Sequence, residues 1–283
     1  MRKTKFSEAN NSLSIGLKSK KIAIPYLIWI LIFTILPIFL LMQYAFTNNQ
    51  GNFTFANIER FFNPLYLGIM WHSIRMATMA TVICFFLGYP IAYILSQKAY
   101  KDKTILLFLF VVPMWMNFLV RTYAWLFILG FNGVLNNILR FFGFEPIRLL
   151  FTDGAVLLGL VYTFLPFMIF PIYSSLQKID ERIIEAARDL GSNRLQLFFR
   201  IIFPLSLPGI ASALTMVFMP AVATFLISNI LGGGQYFLIG NLIEQQFLTV
   251  GNRHFGSALA LIMFALIILC NVIFSYLSKE EKE

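Results

Sequence analysis

The sequence predicts an all-α membrane protein, a bundle of six transmembrane helices with both termini in the cytoplasm. Three observations predict it. Of 283 residues, 59% are hydrophobic and only 12% are charged, against about 25% charged in an average soluble domain. That much apolar surface cannot be hidden inside one water-facing globule, so the excess must face lipid. Six runs are long enough to cross a hydrocarbon core, which takes about 20 residues. The runs do not alternate apolar and polar residues as barrel strands do, Ile105 to Pro113 being a plain case, and the other structure that can span lipid is the helix.

Taken in order, residues 1–21 form a basic tail with Arg2, Lys3, Lys5, Lys18, Lys20 and Lys21. It resembles the start of a signal peptide. The apolar run behind it is longer than an h-region of about 7–15 residues and shows no evident small-x-small cleavage site, so it reads as a retained helix. The spans are expected at 22–46, 71–95, 105–129, 154–176, 205–231 and 254–278, which makes 22–283 a single transmembrane domain. Loops 47–70 and 130–153 are rich in Phe, as in Phe61-Phe62 and Phe141-Phe142, and are expected to hold short helices lying along the outer membrane surface. Nine of the prolines, among them Pro90, Pro113, Pro166, Pro171, Pro204, Pro208 and Pro220, sit in or beside spans. Membrane bundles tolerate them because neighbours satisfy the freed carbonyls, and kinked helices suit a wall that opens.

Orientation follows from the cations. Sixteen of the 22 Lys and Arg fall in the N-terminal tail, in 96–104 (Lys98, Lys101, Lys103), in 177–203 (Lys178, Arg182, Arg188, Arg194, Arg200) and after 278 (Lys279, Lys282). Those segments are placed in the cytoplasm. The formal net charge of +9 is thereby spent on topology, and a nucleic-acid partner loses its support.

Enzyme chemistry has little to stand on. The two histidines, His72 and His254, lie at predicted outer boundaries; Cys84 and Cys270 lie far apart in apolar runs, and no His/Cys/carboxylate cluster has metal spacing. There is no G-x-S-x-G elbow and no phosphate loop for ATP. Leu231-Gly232-Gly233-Gly234-Gln235 resembles a glycine-rich ATPase signature, but it is placed at the outer end of the fifth span and reads as a helix exit.

The informative segment is the cytoplasmic loop 177–203. Ile179, Ile183, Ala186, Ala187 and Leu190 recur at helical spacing with charges on the other face. Gly191 then permits a reversal, and Ser192 or Asn193 can cap a second helix. Small residues beside the turn let a partner surface approach, and Glu185 offers it an acidic handle.

Glu185-Ala186-Ala187, three residues, Gly191, nine residues, then Ile201-Ile202-Phe203-Pro204 resembles the E-A-A-x3-G-x9-I-x-L-P motif of permease subunits of bacterial ATP-binding cassette importers. Phe203 replaces the motif's Leu. The resemblance implies a type I importer permease with its core over about 71–278 and loop 177–203 as the coupling loop, in which Glu185, Ala186, Ala187, Gly191, Ile201 and Pro204 meet a separate ATPase. It also implies the partners: a second permease subunit in a hetero-dimer, a cytoplasmic ATPase dimer and an extracytoplasmic substrate-binding protein. ATP and Mg would be bound in the ATPase, and no cofactor in this chain. Trp71-His72-Ser73, Leu87-Gly88-Tyr89-Pro90, Val112 through Asn117, Arg121-Thr122-Tyr123, Gly159 through Tyr162 and Leu165-Pro166-Phe167 extend the likeness to the spermidine/putrescine permeases of the PotB type.

A polyamine is a string of ammonium groups on an apolar chain, so its path should offer aromatic faces, amide or carbonyl oxygens and a carboxylate. Candidates are Trp115, Asn117, Tyr123, Tyr162 and Asn229. On one continuous helix Trp115 and Tyr123 roughly align, whereas Asn117 is turned about 200° away. No Asp or Glu lies inside a predicted span. The family often has an acid where this chain has Asn229, so either the partner permease supplies the charge or the substrate differs. Arg121 is the costliest residue in a span, and a structural ion pair with Asp153 or Glu244 is expected for it. Against the importer reading stands an ATP-independent carrier or channel, which usually places ion-binding groups near the midplane.

Overall fold

With no water to serve the backbone, each apolar run closes its hydrogen bonds within itself. In the computed structural model, which describes residues 24–97 and 103–277, these runs form long helices joined by short ones. They are α1 (Ile24–Ala45), α2 (Ala56–Phe61), α3 (Pro64–Ser96), α4 (Lys103–Trp115), α5 (Phe118–Leu129), α6 (Val134–Phe141), α7 (Asp153–Leu176) and α8 (Glu181–Asp189). There follow α9 (Arg194–Ala223), α10 (Leu226–Leu231), α11 (Ile239–Leu248) and α12 (Arg253–Leu277). The basic tail 1–21, Lys98, Lys101 and the tail after 278 lie outside the described residues.

Six stretches among the described residues are long and apolar enough to span a membrane: Ile24–Ala45, Pro64–Ser96, Phe118–Phe141, Asp153–Leu176, Arg194–Ala223 and Arg253–Phe274. The number agrees with the sequence reading, and three spans need correction. The second, expected at 71–95, already begins at Pro64. The expected third span, 105–129, is interrupted: α4 stops at Trp115 and α5 begins at Phe118. Asn117 is extended there, and its side-chain oxygen accepts from the backbone N–H of Leu119 and Val120, so it caps a new helix. The expected fifth span, 205–231, begins earlier, at Arg194, and ends at Ala223; Thr224 turns extended before α10. A proline precedes each interruption, Pro113 and Pro220, yet α3 runs on through Pro90 and α7 through Pro166 and Pro171. Proline alone therefore does not break a helix here.

The core is built from α7 flanked by α3 and α9. Glycines key the three together. A Cβ on Gly88 of α3 would stand 2.9 Å from the Met168 side chain of α7, and one on Gly209 of α9 would stand 2.3 Å from Ser175 Cβ. Met168, Ile169 and Ile172 are accordingly sealed between them. α1 rests on α12, which is why most of its side chains are exposed.

Loops 47–70 and 130–153 do hold short helices, α2 and α6. Asn136, fully buried, ties α6 to its loop by donating to the carbonyls of Gly130 and Ile147 and accepting from Ile147 N–H. α11, within the last loop between spans, is a helix that hydropathy does not mark. Its approach requires Gly240, because a Cβ there would lie 2.5 Å from the Ala223 carbonyl oxygen.

Candidate functional site

The candidate residues fall in two regions, an elbow at one end of the bundle and a pair of interrupted helices toward the other.

The elbow is α8, Gly191 and the start of α9. Asp180 caps α8 by accepting from Arg182 N–H at 3.0 Å. The helix ends in a Schellman turn: Gly191 N–H donates to Arg188 O at 2.9 Å and Ser192 N–H to Ala187 O at 3.0 Å, with Gly191 at φ +84°. That left-handed conformation is the one glycine adopts at no steric cost. Asn193 then opens α9 with a reciprocal capping box, accepting from Gln196 N–H at 2.8 Å while Gln196 accepts from Asn193 N–H at 3.0 Å. Of the two caps left open by the sequence, Asn193 is the one used.

This elbow meets its own bundle along a narrow line, through buried Leu197 at the start of α9 and through Ala187 and partly buried Ile184 of α8. Ala187 is its one buried residue in α8, at 7% exposure, whereas Leu190 is 87% and Ile183 45% exposed. Ile183, Ala186 and Leu190 share a helical face, so the rigidly capped elbow presents an apolar stripe with Glu185 beside it. An exposed apolar face of this kind is a candidate interaction surface. Ile201 and Pro204 stand further along α9, both partly buried.

At the other region, α5 packs on α10, so the segments that follow the two interruptions are neighbours. The Phe225 carbonyl, at the gap between α9 and α10, accepts from Asn241 Nδ2 at 3.0 Å. Asn241 Nδ2 also donates to Asn229 Oδ1 at 2.6 Å, Ser228 Oγ donates to Asn241 Oδ1 at 2.6 Å, and Asn229 Nδ2 donates to Glu244 Oε2 at 2.8 Å. Folding α11 back across the gap thus sets a carboxylate against Asn229. The sequence reading found Asn229 but cast Glu244 as a partner for Arg121.

That ion pair does not form. Glu244 is bound to Asn229, and Asp153 faces His72 Nε2 at 3.2 Å and Arg75 Nη2 at 3.6 Å, joining α7 to α3. Arg121 Nη1 instead donates to the Pro113 carbonyl at 2.8 Å, and its guanidinium lies 5.7 Å from the Phe118 ring centre and 5.8 Å from that of Tyr162. The interruption after Trp115 explains the choice: the last carbonyls of α4 have no intrahelical donor and form the negative pole of the helix. The Arg121 Nε is buried and finds no partner among the described residues.

The other candidates are dispersed. No hydrogen bond or ring contact among the described residues joins any two of Trp115, Asn117, Tyr123, Tyr162 and Asn229. Trp115, at the tip of α4, is 75% exposed and meets Phe108 edge-on. Asn117 spends its oxygen on the helix cap. Tyr123 is exposed. Tyr162 is held between Trp125, with ring centres 5.3 Å apart, and Arg121, so one of its faces is already taken by a resident cation.

Comparison with known proteins agrees with this architecture. Residues 85–280 match the family model described as binding-protein-dependent transport system inner membrane component. The chain is 43% identical over 251 residues to the spermidine/putrescine transport system permease protein PotB of Haemophilus influenzae, across 85% of this chain and 88% of that one. To the Escherichia coli K12 protein of the same name it is 42% identical over 238 residues, across 81% and 86%. Its fold is similar, with a TM-score of 0.82 over 96% of this chain and 99% of the other at 16% identity, to a crystal structure of a bacterial ABC transporter involved in the import of the acidic polysaccharide alginate. The chain therefore belongs to the family of binding-protein-dependent transport system inner membrane components, multi-pass transport permeases of the bacterial inner membrane.

Proposed function

We propose that this chain is one of two permease subunits of an ATP-driven importer that passes polyamines, spermidine and putrescine, from an extracytoplasmic binding protein into the cytoplasm. The elbow carries the importer reading. It is capped at both of its helices, meets the bundle along a narrow line through Ile184, Ala187 and Leu197, and leaves Glu185, Ala186 and Leu190 exposed, which suits a lever gripped by a separate ATPase. ATP and Mg belong to that ATPase. The Lys and Arg of 177–203 favour placing the elbow in the cytoplasm, with both termini on the same side.

The cargo reading rests on the interrupted helices together with the name borne by the relatives above. Discontinuous membrane helices build substrate sites because their free ends leave polar groups unspent. Here buried Asn241 pins the α9–α10 gap and sets Asn229 beside the partly buried Glu244 carboxylate, the group suited to an ammonium. We place Asn229 and Glu244 on the path, with exposed Trp115 and Tyr123 and the partly exposed Tyr162 as aromatic surfaces, and Asn117 as the cap that shapes the wall. The permease breaks no bond of its own. It offers the cation a sequence of oxygens and rings in place of water.

Reconstitution of the chain with a companion permease, its ATPases and the binding protein tests the reading. ATP-dependent accumulation of labelled spermidine and putrescine, displaced by unlabelled polyamine, is expected. Uptake by the chain alone would replace the importer with a carrier, and displacement by an unrelated solute would remove the polyamine. With Glu185→Lys the bundle should still insert while ATPase association and uptake fall; normal uptake would take the coupling role from the elbow.

A further inference from the structure

We infer that Phe198 and Tyr89 form the mechanical joint through which movement of the elbow reaches α3. The inference rests on the elbow being gripped by an ATPase and concerns how its displacement travels onward. α9 is one continuous helix from Arg194 to Ala223, but between its capped first turn and its membrane portion it passes through a π-helical turn at Phe198–Ile202. Such a turn holds one residue more than the α-helical register and recurs at functional sites. It is the place where a helix can slip its register without losing its hydrogen bonds altogether.

Phe198 opens that turn, and its ring is set edge-on to two tyrosines of α3. Its centre lies 5.7 Å from Tyr89 at 89° and 5.5 Å from Tyr93 at 81°. Tyr89 is 5% exposed, and its hydroxyl lies 3.1 Å from Ser206 Oγ. Ser206 donates its own proton to the Phe203 carbonyl at 2.8 Å, so Tyr89 is the donor in that pair. α3 thus holds α9 on both sides of the π-turn, by a ring at its start and by a hydrogen bond just beyond it. Edge-to-face rings have a strong angular preference, and a rotation of Phe198 is felt by both tyrosines.

The elbow side of the joint is open. A cavity of about 1000 Å³ is lined by Tyr93, Leu197, Phe198 and Ile202 together with Ile184 and Glu185 of α8. The joint can therefore swing toward the elbow without expelling packed atoms. Because α8 meets the core only through buried Ala187 and partly buried Ile184, its displacement has no broad packed face through which to reach the bundle directly. Its covalent continuation into α9 carries it to Phe198.

The test uses the full reconstituted complex, with Cys84 and Cys270 replaced by Ala and one spin or fluorescent label at Arg182→Cys on the elbow, off the Ile183–Ala186–Leu190 stripe, or Phe86→Cys on α3, both exposed. In the parent complex ATP should shift both signals. In Phe198→Ala the Arg182 signal should still shift and the Phe86 signal should be lost, with uptake per ATP hydrolysed falling about 2- to 30-fold, the range expected of a coupling residue. Phe198→Tyr, which keeps the ring, should restore both. Tyr89→Phe should lower uptake per ATP less, and add nothing in the Phe198→Ala background. A Phe86 response that survives Phe198→Ala, or additive losses in the double variant, would overturn the joint. Silence of the Arg182 label in the parent would instead remove the lever on which it depends.

Discussion

Replacing Gly191 with Ala isolates the backbone geometry of the elbow from everything around it. Gly191 has φ +84°, and a Cβ built there meets nothing within 4 Å, so Ala introduces no clash with a neighbour. The cost is that of holding an L-residue left-handed, about 1–2 kcal/mol. The two Schellman bonds, to Ala187 O and Arg188 O, form only in that conformation, so the penalty falls on the reversal between α8 and α9. If the ATPase grips the reversed form, a 1–2 kcal/mol penalty weakens its association about 5- to 30-fold. Titration of detergent-solubilised permease dimer with labelled ATPase measures this directly. Gly191→Asn should lose less than Gly191→Ala, since Asn is the other residue that tolerates this position. Thermal unfolding of the spans should be unmoved in both. Equal binding by the Ala variant and the parent, or a larger loss with Asn, would refute the reasoning.

Other outcomes follow from the same geometry. Arg121→Leu leaves the Pro113 carbonyl without its donor and should lower stability in detergent by about 1–3 kcal/mol; Arg121→Lys, which can still reach that carbonyl, should lose less, as thermal unfolding would show. Gly209→Ala forces a methyl against Ser175 and Pro171 and should cost about 1–3 kcal/mol, seen as a lower unfolding temperature of the assembled dimer. Asn117→Ala removes the cap of α5 at a cost of about 1 kcal/mol, read the same way. Glu244→Gln keeps a hydrogen-bonding partner for Asn229 but discharges the gap; labelled spermidine uptake should drop about tenfold or more with ATPase association unchanged.

The spans were legible because hydropathy sums over about 20 residues and needs no knowledge of partners. The elbow was legible for a different reason: its caps are local, and Gly191 and Asn193 act on backbone groups a few residues away. The interruptions were not. Met116-Asn117 and Thr224-Phe225 sit within apolar runs, and averaging conceals a single side chain that competes for backbone N–H groups. Asn four residues after Pro113 was the available signal. Once that gap was missed, the partner of Arg121 was beyond reach, because the Pro113 carbonyl is free only when the helix stops. Reading Arg121 against acids was chemically sound and chose from an incomplete set of acceptors. Glu244 and Asn229 meet only through the return of α11, a tertiary event that periodicity does not encode. Phe198 was passed over for the same reason: one Phe among 32 carries no mark in the sequence of being the one that meets two tyrosines.

The absent side chains of Gly88 and Gly209 have a consequence for how such a protein can change shape. Helices that bite into one another this closely cannot slide, because every sideways step would drive a Cβ or a carbonyl into the space where no substituent fits. α3, α7 and α9 must then tilt as one board. Whatever bends has to do so at the rim of that board, where the polypeptide already leaves its helical path, and a passage that opens by rocking rather than by shearing keeps its lining in register from one side of the bilayer to the other.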